Sequence, residues 1–436
     1  MRRVLSADWV LPVEAPPIPD GAVAIEDGRI AAVGRRVELG TGERFEEAAI
    51  VPGFVNAHSH LEYAVYAGFG DGLAFAPWIG LHIARKGELA IDDMQAIARV
   101  GAAECLRSGI TTVGDASYSG AAATACAELG LRATVYLEVF GAGTDQIASR
   151  FEANRDRVSD ALSERVRLGI SPHSVYSASP ELWAAAADLG LPMMTHFAES
   201  EAEVDWVRHR SGPFAEVLPD QFPAGSIRLL AEHGLLGPQL VAAHAVHLAD
   251  EELELLVRHD VAIAHCPRSN ALLGCGIAPL AELRAAGLRV GIGTDSPAST
   301  PSFDIFEELR TAVSLARARE RRTDALTAVD ALELATLGSA AALGLAEEVG
   351  SLAPGKRADI AVLSLAGSPY LPWEDPEVAV LFGGSPERIV LTMVDGEVRY
   401  KKGDVEWHEQ LRRRAASARR RMLSAGPAAV AAAAPR

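Results

Sequence analysis

His58-Ser59-His60 closes a short apolar run, and its two-residue spacing puts both imidazoles on one face of an extended chain. Two nitrogen donors on one strand suit zinc or iron(II). Taken alone, such a pair reads equally as two satisfied core histidines. Joined to His196 and Asp295 from other runs, it becomes three nitrogens and a carboxylate with room for a water, which is an open catalytic site rather than a closed structural one. Glu199 follows His196 by three residues, where a proton shuttle is needed: a hydrolytic water must lose a proton and the leaving group must gain one. Glu201 and Glu203, in the same acidic run, read as surface residues. His244 is a second candidate for the site, as a hydrogen-bond partner of the attacking water, and His247 reads as structural.

These residues need elements to carry them. After Pro52 the chain alternates apolar runs with helical patterns. The runs are 53–57, 111–114, 133–139, 166–170, 193–196, 240–244, 261–264 and 289–293, separated by helical segments such as 92–107, 180–189, 250–259 and 278–286. Eight strands alternating with helices over about 300 residues is the size and count of a (β/α)8 TIM barrel, an α/β fold. A doubly wound sheet is the alternative, but no G-x-G-x-x-G follows a first strand. A barrel places its active site at the C-terminal ends of its strands. His58 and His60, His173, His196, His244, His265 and Asp295 all stand at such ends, on strands one, four, five, six, seven and eight, and they include six of the twelve histidines. One rim collects the titratable residues.

The first fifty residues and the stretch from 358 to 398 share a different texture of short strands and Asp-Gly hairpins, at Asp27-Gly28 and Asp395-Gly396. A small β-sandwich domain built from both termini, residues 1–51 and 353–405, would flank a barrel of residues 52–352. Residues 406–436 read as an Arg-rich helix lying solvated on an acidic body, followed by an Ala/Pro tail from 425 that frays.

Composition narrows the function. The formal net charge of −17 argues against a phosphate-backbone partner, so no nucleic acid is expected. No apolar run approaches a membrane span, and no h-region builds before Asp8, so neither a membrane nor a signal peptide is expected. Four cysteines without a C-x-x-C pair read as reduced, which points to the cytoplasm. Only four residues are lysine, Lys86, Lys356, Lys401 and Lys402, and none lies in a barrel strand. Barrels that hold paired metals commonly bridge them through a carboxylated lysine on strand four, so one divalent ion is favoured: zinc first, with iron(II) or manganese accepted by the same donors.

The segment Val51-Pro52-Gly53-Phe54-Val55-Asn56-Ala57-His58-Ser59-His60 resembles the strand-one motif of the amidohydrolase superfamily, Gly293-Thr294-Asp295-Ser296 its strand-eight motif, and Gly350 to Ile360 the entry to its small β-domain. Within the superfamily, His196-x-x-Glu199 and a single metal look like the deaminase branch, with chlorohydrolases as relatives. The resemblance implies His58, His60, His196 and Asp295 as ligands, Glu199 as proton shuttle, and His244 with Asp295 handling the water. It implies a small-molecule substrate and a homo-oligomer, dimer or higher. The segment Pro172 to Pro180 is similar to one in deaminases of adenosine-type nucleosides and thioethers, where the histidine, here His173, meets the sugar. Arg268 departs from the usual nucleoside-deaminase loop. Placed at a barrel mouth, it suits a substrate carboxylate or a neighbouring acid. The pattern resembles aminodeoxyfutalosine deaminases of menaquinone synthesis, whose substrate carries a benzoate. Trp78 and Tyr176 are candidates to stack on a purine and Glu88 to bind ribose hydroxyls; each also reads as an ordinary loop or packing residue. The expectation is a metal-dependent hydrolytic deaminase of a 6-aminopurine nucleoside, aminodeoxyfutalosine preferred, with S-adenosylhomocysteine, methylthioadenosine or adenosine next and a triazine chlorohydrolase or cyclic amidase as the alternative.

Overall fold

Continuous apolar strands that alternate with helices bury both faces of a parallel sheet, and the computed structural model of the chain shows that arrangement. It describes residues 2–217, 226–404 and 406–424. Eight parallel strands pair in sequence order: β5 (Phe54–Ser59), β6 (Ile110–Ser117), β7 (Arg132–Val139), β8 (Val166–Pro172), β9 (Met193–Phe197), β10 (Leu240–His244), β11 (Ala262–His265) and β12 (Val290–Ile292). The barrel is nearly closed. Asp295 N–H donates to the His58 carbonyl at 3.0 Å. The Asn56 carboxamide ties the same seam, donating to Thr294 Oγ1 at 2.7 Å and accepting from Thr294 N–H at 2.9 Å.

Alternation along the strands separates two cores. Val55, Ala57, Ala116, Tyr136, Met194, Val241, Ala243, Ala262 and Ala264 form one cluster inside the barrel. Phe54, Val135, Leu137, Met193, Ala242 and Ile263 belong to the layer between strands and helices. This register decides which strand-end residues reach the mouth.

Both termini supply a second, seven-stranded mixed sheet: β1 (Arg3–Val10), β2 (Ile18–Glu26), β3 (Arg29–Arg35) and β4 (Glu43–Pro52) before the barrel, β13 (Ile360–Ser364), β14 (Ile389–Val394) and β15 (Glu397–Lys401) after it, in the order β15-β14-β13-β4-β1-β2-β3. Its inner side chains, among them Leu5, Val23, Ile50, Val362 and Met393, make their own core. The two Asp-Gly turns pack together. Gly28 has φ +76°, and a Cβ there would lie 2.8 Å from the Asp395 carbonyl. Glycine is required twice over, for the dihedral and for the approach. Sheet and barrel are joined by a buried ion network: Arg132, on the first residue of β7, reaches Asp359 at 3.0 and 3.1 Å and Asp395 at 2.6 Å.

The helix Glu406–Ser424 lays Leu411, Ala415 and Ala418 against Ile97 and Val100 of the helix Ile91–Arg107. Its exposed arginines face acids on that helix: Arg421 pairs with Asp93, and Arg412 reaches Glu104 at 2.5 Å. The tail expected from residue 425 lies outside the described residues. No helix among the described residues is long and apolar enough to cross a membrane. All four cysteines are free and buried.

Candidate active site

Inward register on β5 belongs to Val55 and Ala57, so strict alternation would leave His58 and His60 on the outer face. Between Asn56 and Ser59, however, three steps of β5 oppose two of β6. This bulge exchanges the faces. It carries both histidines into the mouth, on the shared face that their spacing requires. His196 follows Met194 inward on β9 by simple alternation. His244 stands in the outward register of Ala242, but its φ of +76° swings it toward the site, and Ala198 and Asp295 hold φ of +49° and +53° beside it. Left-handed backbone at non-glycine residues concentrates at sites that need aiming. Gly293 makes room, since a Cβ there would lie 2.9 Å from His58 Cβ.

The result is one buried cluster. His60 Nε2 and His196 Nε2 stand 3.1 Å apart. Each ring has its Nδ1 2.8 Å from a backbone carbonyl, Ala116 for His60 and His173 for His196. A carbonyl only accepts, so both Nδ1 atoms carry the hydrogens and both Nε2 atoms present lone pairs to each other. His58 Nε2 is buried with no hydrogen-bond partner among the described residues, 3.7 Å from Asp295 Oδ1. Asp295 Oδ1 is also 3.6 Å from His60 Nε2, while its Oδ2 accepts from Ser269 at 2.7 Å and Ser299 at 2.6 Å. Burial holds the imidazole of His58 well below its ordinary pKa and brings His196 down to about 3. Converging neutral imidazole lone pairs with one carboxylate oxygen repel or strand one another unless they share a cation. The donor set fits a divalent metal of borderline softness.

Beside it lies a second buried cluster, Glu199, His244 and Asp295. His244 Nδ1 stands 2.9 Å from Asn270 Oδ1 and so carries the hydrogen, leaving Nε2 facing Glu199 Oε2 at 3.7 Å. Glu199, His244 and Asp295 bring one atom each within 4.8 Å of one another. Burial pushes the Glu199 carboxyl well above its ordinary range, with Asp295 and Glu203 adding to it. Glu203 is no surface residue. It is buried and accepts from the backbone N–H of Ala198 at 2.8 Å and of Glu199 at 2.7 Å. Glu201 is exposed.

The substrate-side residues divide. The His173 ring lies 4.6 Å from that of His196 at a 36° tilt, with Nδ1 2.8 Å from Ser177 Oγ. Tyr176 is buried between His173 and Phe214. Trp78 is covered by Phe75 and His82, nearly parallel to both rings. Two expectations need correction. Glu88 is exposed, because the helix Phe75–Lys86 ends just before it and the chain turns outward. Arg268 is not an open cation at the mouth. It is buried, 3.4 Å from Glu308 and 3.4 Å from Glu307, and donates to the carbonyls of Asp304 and Ser302. Its charge is engaged by Glu308 and Glu307 before any substrate arrives. His247 lies with Nε2 2.6 Å from the Cys275 carbonyl, a structural contact. Sequence reasoning missed Glu203, Ser299 and Glu138. Glu138 had a readable signal, since it lies near the end of β7, two residues past the inward Tyr136.

A parallel barrel with three histidines, an aspartate and a buried glutamate at its C-terminal rim defines a metal-dependent hydrolase. The chain belongs to the amidohydrolase family, whose model matches residues 49–399, and it is an enzyme of carbon–nitrogen bond hydrolysis. It is 33% identical over 411 residues to a 5'-deoxyadenosine deaminase from Methanothermobacter thermautotrophicus, covering 91% of this chain and 93% of that one. It is 32% identical over 422 residues to a 5-methylthioadenosine/S-adenosylhomocysteine deaminase from Moorella thermoacetica, covering 93% and 96%. Among solved structures, a zinc-bound adenosine deaminase from Xanthomonas campestris superposes with a TM-score of 0.84 at 26% identity, over 97% of this chain and 98% of that one.

Proposed function

We propose that the chain is a hydrolytic deaminase of 6-aminopurine nucleosides, with His58, His60, His196 and Asp295 holding one divalent ion, zinc by preference. The observation that carries the reading is the Glu199 carboxyl, buried 3.7 Å from His244 at the edge of the four-donor cluster, in a chain related to deaminases of 5'-modified adenosines. A bound divalent ion would supply Lewis acidity and bring a water's pKa toward neutrality. The residues of the chain do the rest. His244, its Nδ1 hydrogen directed at Asn270, turns Nε2 to the attacking water and, with Asp295, takes its proton as oxygen adds to C6. Glu199 gives its proton to the ring nitrogen, so that no charge accumulates on the purine. Left as a carboxylate, Glu199 then takes the proton of the new C6 hydroxyl and passes it to the amino group, which leaves as ammonia while the C–N bond breaks and the carbonyl forms; the proton held by His244 and Asp295 returns to Glu199 for the next cycle.

Relatives that act on 5'-deoxyadenosine, methylthioadenosine and S-adenosylhomocysteine favour a 5'-modified adenosine. Aminodeoxyfutalosine remains in the proposal on the likeness of the loop around Arg268, but the pairing of Arg268 with Glu308 withdraws the charge that would have read its benzoate. The enzyme is further proposed to act on a small molecule as a homo-oligomer. Ammonia release measured across adenosine, 5'-deoxyadenosine, methylthioadenosine, S-adenosylhomocysteine, aminodeoxyfutalosine and a chlorotriazine tests the reading. Turnover of the triazine alone would replace it.

A further inference from the structure

One wall of the mouth carries charges that the deamination mechanism does not use. Glu138 stands near the end of β7 on the inward face, two residues past Tyr136, and is 2% exposed. No side chain among the described residues donates a hydrogen bond to its carboxylate or forms an ion pair with it. One of its oxygens lies within 4.8 Å of a nitrogen of His173 and a nitrogen of His196. Its backbone is held: Arg150 Nε donates to the Glu138 carbonyl at 2.8 Å while the guanidinium sits 4.0 Å over the Tyr118 ring. Across from it, Lys86 closes the stripe Trp78, His82, Lys86, spaced four residues apart on one helix face. The Lys86 ammonium is 3.9 Å over the Tyr118 ring, in cation–π contact.

A buried carboxylate without a donor costs free energy that a ligand can recover. The surroundings select the ligand. A cationic group would be repelled by Lys86, Arg150 and the divalent ion beyond His196. An anionic group would be repelled by Glu138 itself. Neutral hydroxyl donors remain, and two neighbouring hydroxyls can satisfy the two carboxylate oxygens together. We propose that Glu138, and not Glu88, accepts the hydroxyl hydrogens of the substrate's sugar and so selects ribonucleosides. This rests on the nucleoside reading above.

The test is kcat/KM of the metal-loaded enzyme on adenosine, 2'-deoxyadenosine and 3'-deoxyadenosine, in wild type and in Glu138→Gln, with metal content measured in both. Wild type is expected to lose about 10- to 100-fold, mainly in KM, on the analogue lacking the contacted hydroxyl. Glu138→Gln should bring the ratio between adenosine and that analogue to within about threefold at unchanged metal content. A wild type that treats all three alike overturns the proposal whether or not the variant folds, and so does a variant that slows all three equally. A second equivalent of metal that disappears in Glu138→Gln would assign the carboxylate to a cation instead. A wild type inert toward every adenine nucleoside would overturn the nucleoside reading, and the proposal with it.

Discussion

Glu203 accepts the backbone N–H of Glu199 at 2.7 Å and that of Ala198 at 2.8 Å, so one buried carboxylate holds both residues of the turn that aims another. Ser200, between them, caps the helix Glu201–His209 by accepting from Glu203 N–H at 3.2 Å. The turn that carries Glu199 is therefore clamped from within the helix that follows it. Glu203→Ala is expected to lower kcat about 10- to 100-fold by releasing Glu199 from its position, with metal content unchanged. Equal metal and an unchanged kcat would leave Glu203 with only a stabilising part.

Glu199→Gln removes the proton and keeps the shape. Turnover should fall about 10²- to 10⁴-fold with the metal retained. Steady-state kinetics beside elemental analysis checks it, and a wild-type rate would remove Glu199 from the chemistry.

Metal stoichiometry should be one per chain. His196→Ala leaves two imidazoles and a carboxylate, which hold a divalent ion poorly, so the purified variant should contain little metal. Dialysis of wild type against a chelator should abolish activity, and one equivalent of zinc should restore it. Two equivalents in replete wild type would contradict the single-ion site.

Arg268 bears on stability. It is buried and paired with Glu308, which is fully buried. Arg268→Met leaves that carboxyl without its partner and should cost about 3–5 kcal/mol, read as a lower denaturation midpoint. Arg268→Met combined with Glu308→Leu should recover most of it. Turnover of carboxylate-bearing and plain adenosine substrates should fall by the same factor in the single variant. Selective loss on the carboxylate substrate would return Arg268 to substrate recognition.

Acid should loosen the small sheet from the barrel. Burial pushes the Asp395 carboxyl up, but Arg132 and Arg165 outweigh it and hold it below its ordinary value. The folded state thus binds fewer protons than the unfolded chain. The stabilisation is complete above the unfolded value of about 3.9 and drains away as pH falls through the lower folded value. Asp395→Asn should flatten the acid limb of a pH-dependent unfolding series.

Local pattern sufficed for much of this protein. Period two placed His58 and His60 on one face, apolar runs marked eight strands, and the recurrence of His and Asp at strand ends marked the rim, because side-chain periodicity and strand burial are properties of the chain itself. Which face meets the mouth was decided in three dimensions. The bulge between Asn56 and Ser59 turned the outer face of β5 inward, and a left-handed residue did the same for His244. Neither is written in hydrophobic periodicity, because both arise where strand geometry yields to barrel closure. The same holds for charge. Glu203 and Arg268 read as a surface acid and an open cation in sequence, yet the fold buries one under Glu199 and the other against Glu308. A charged side chain takes its role from the partner that reaches it, and partners separated by forty residues, like Arg268 and Glu308, meet only when the barrel closes.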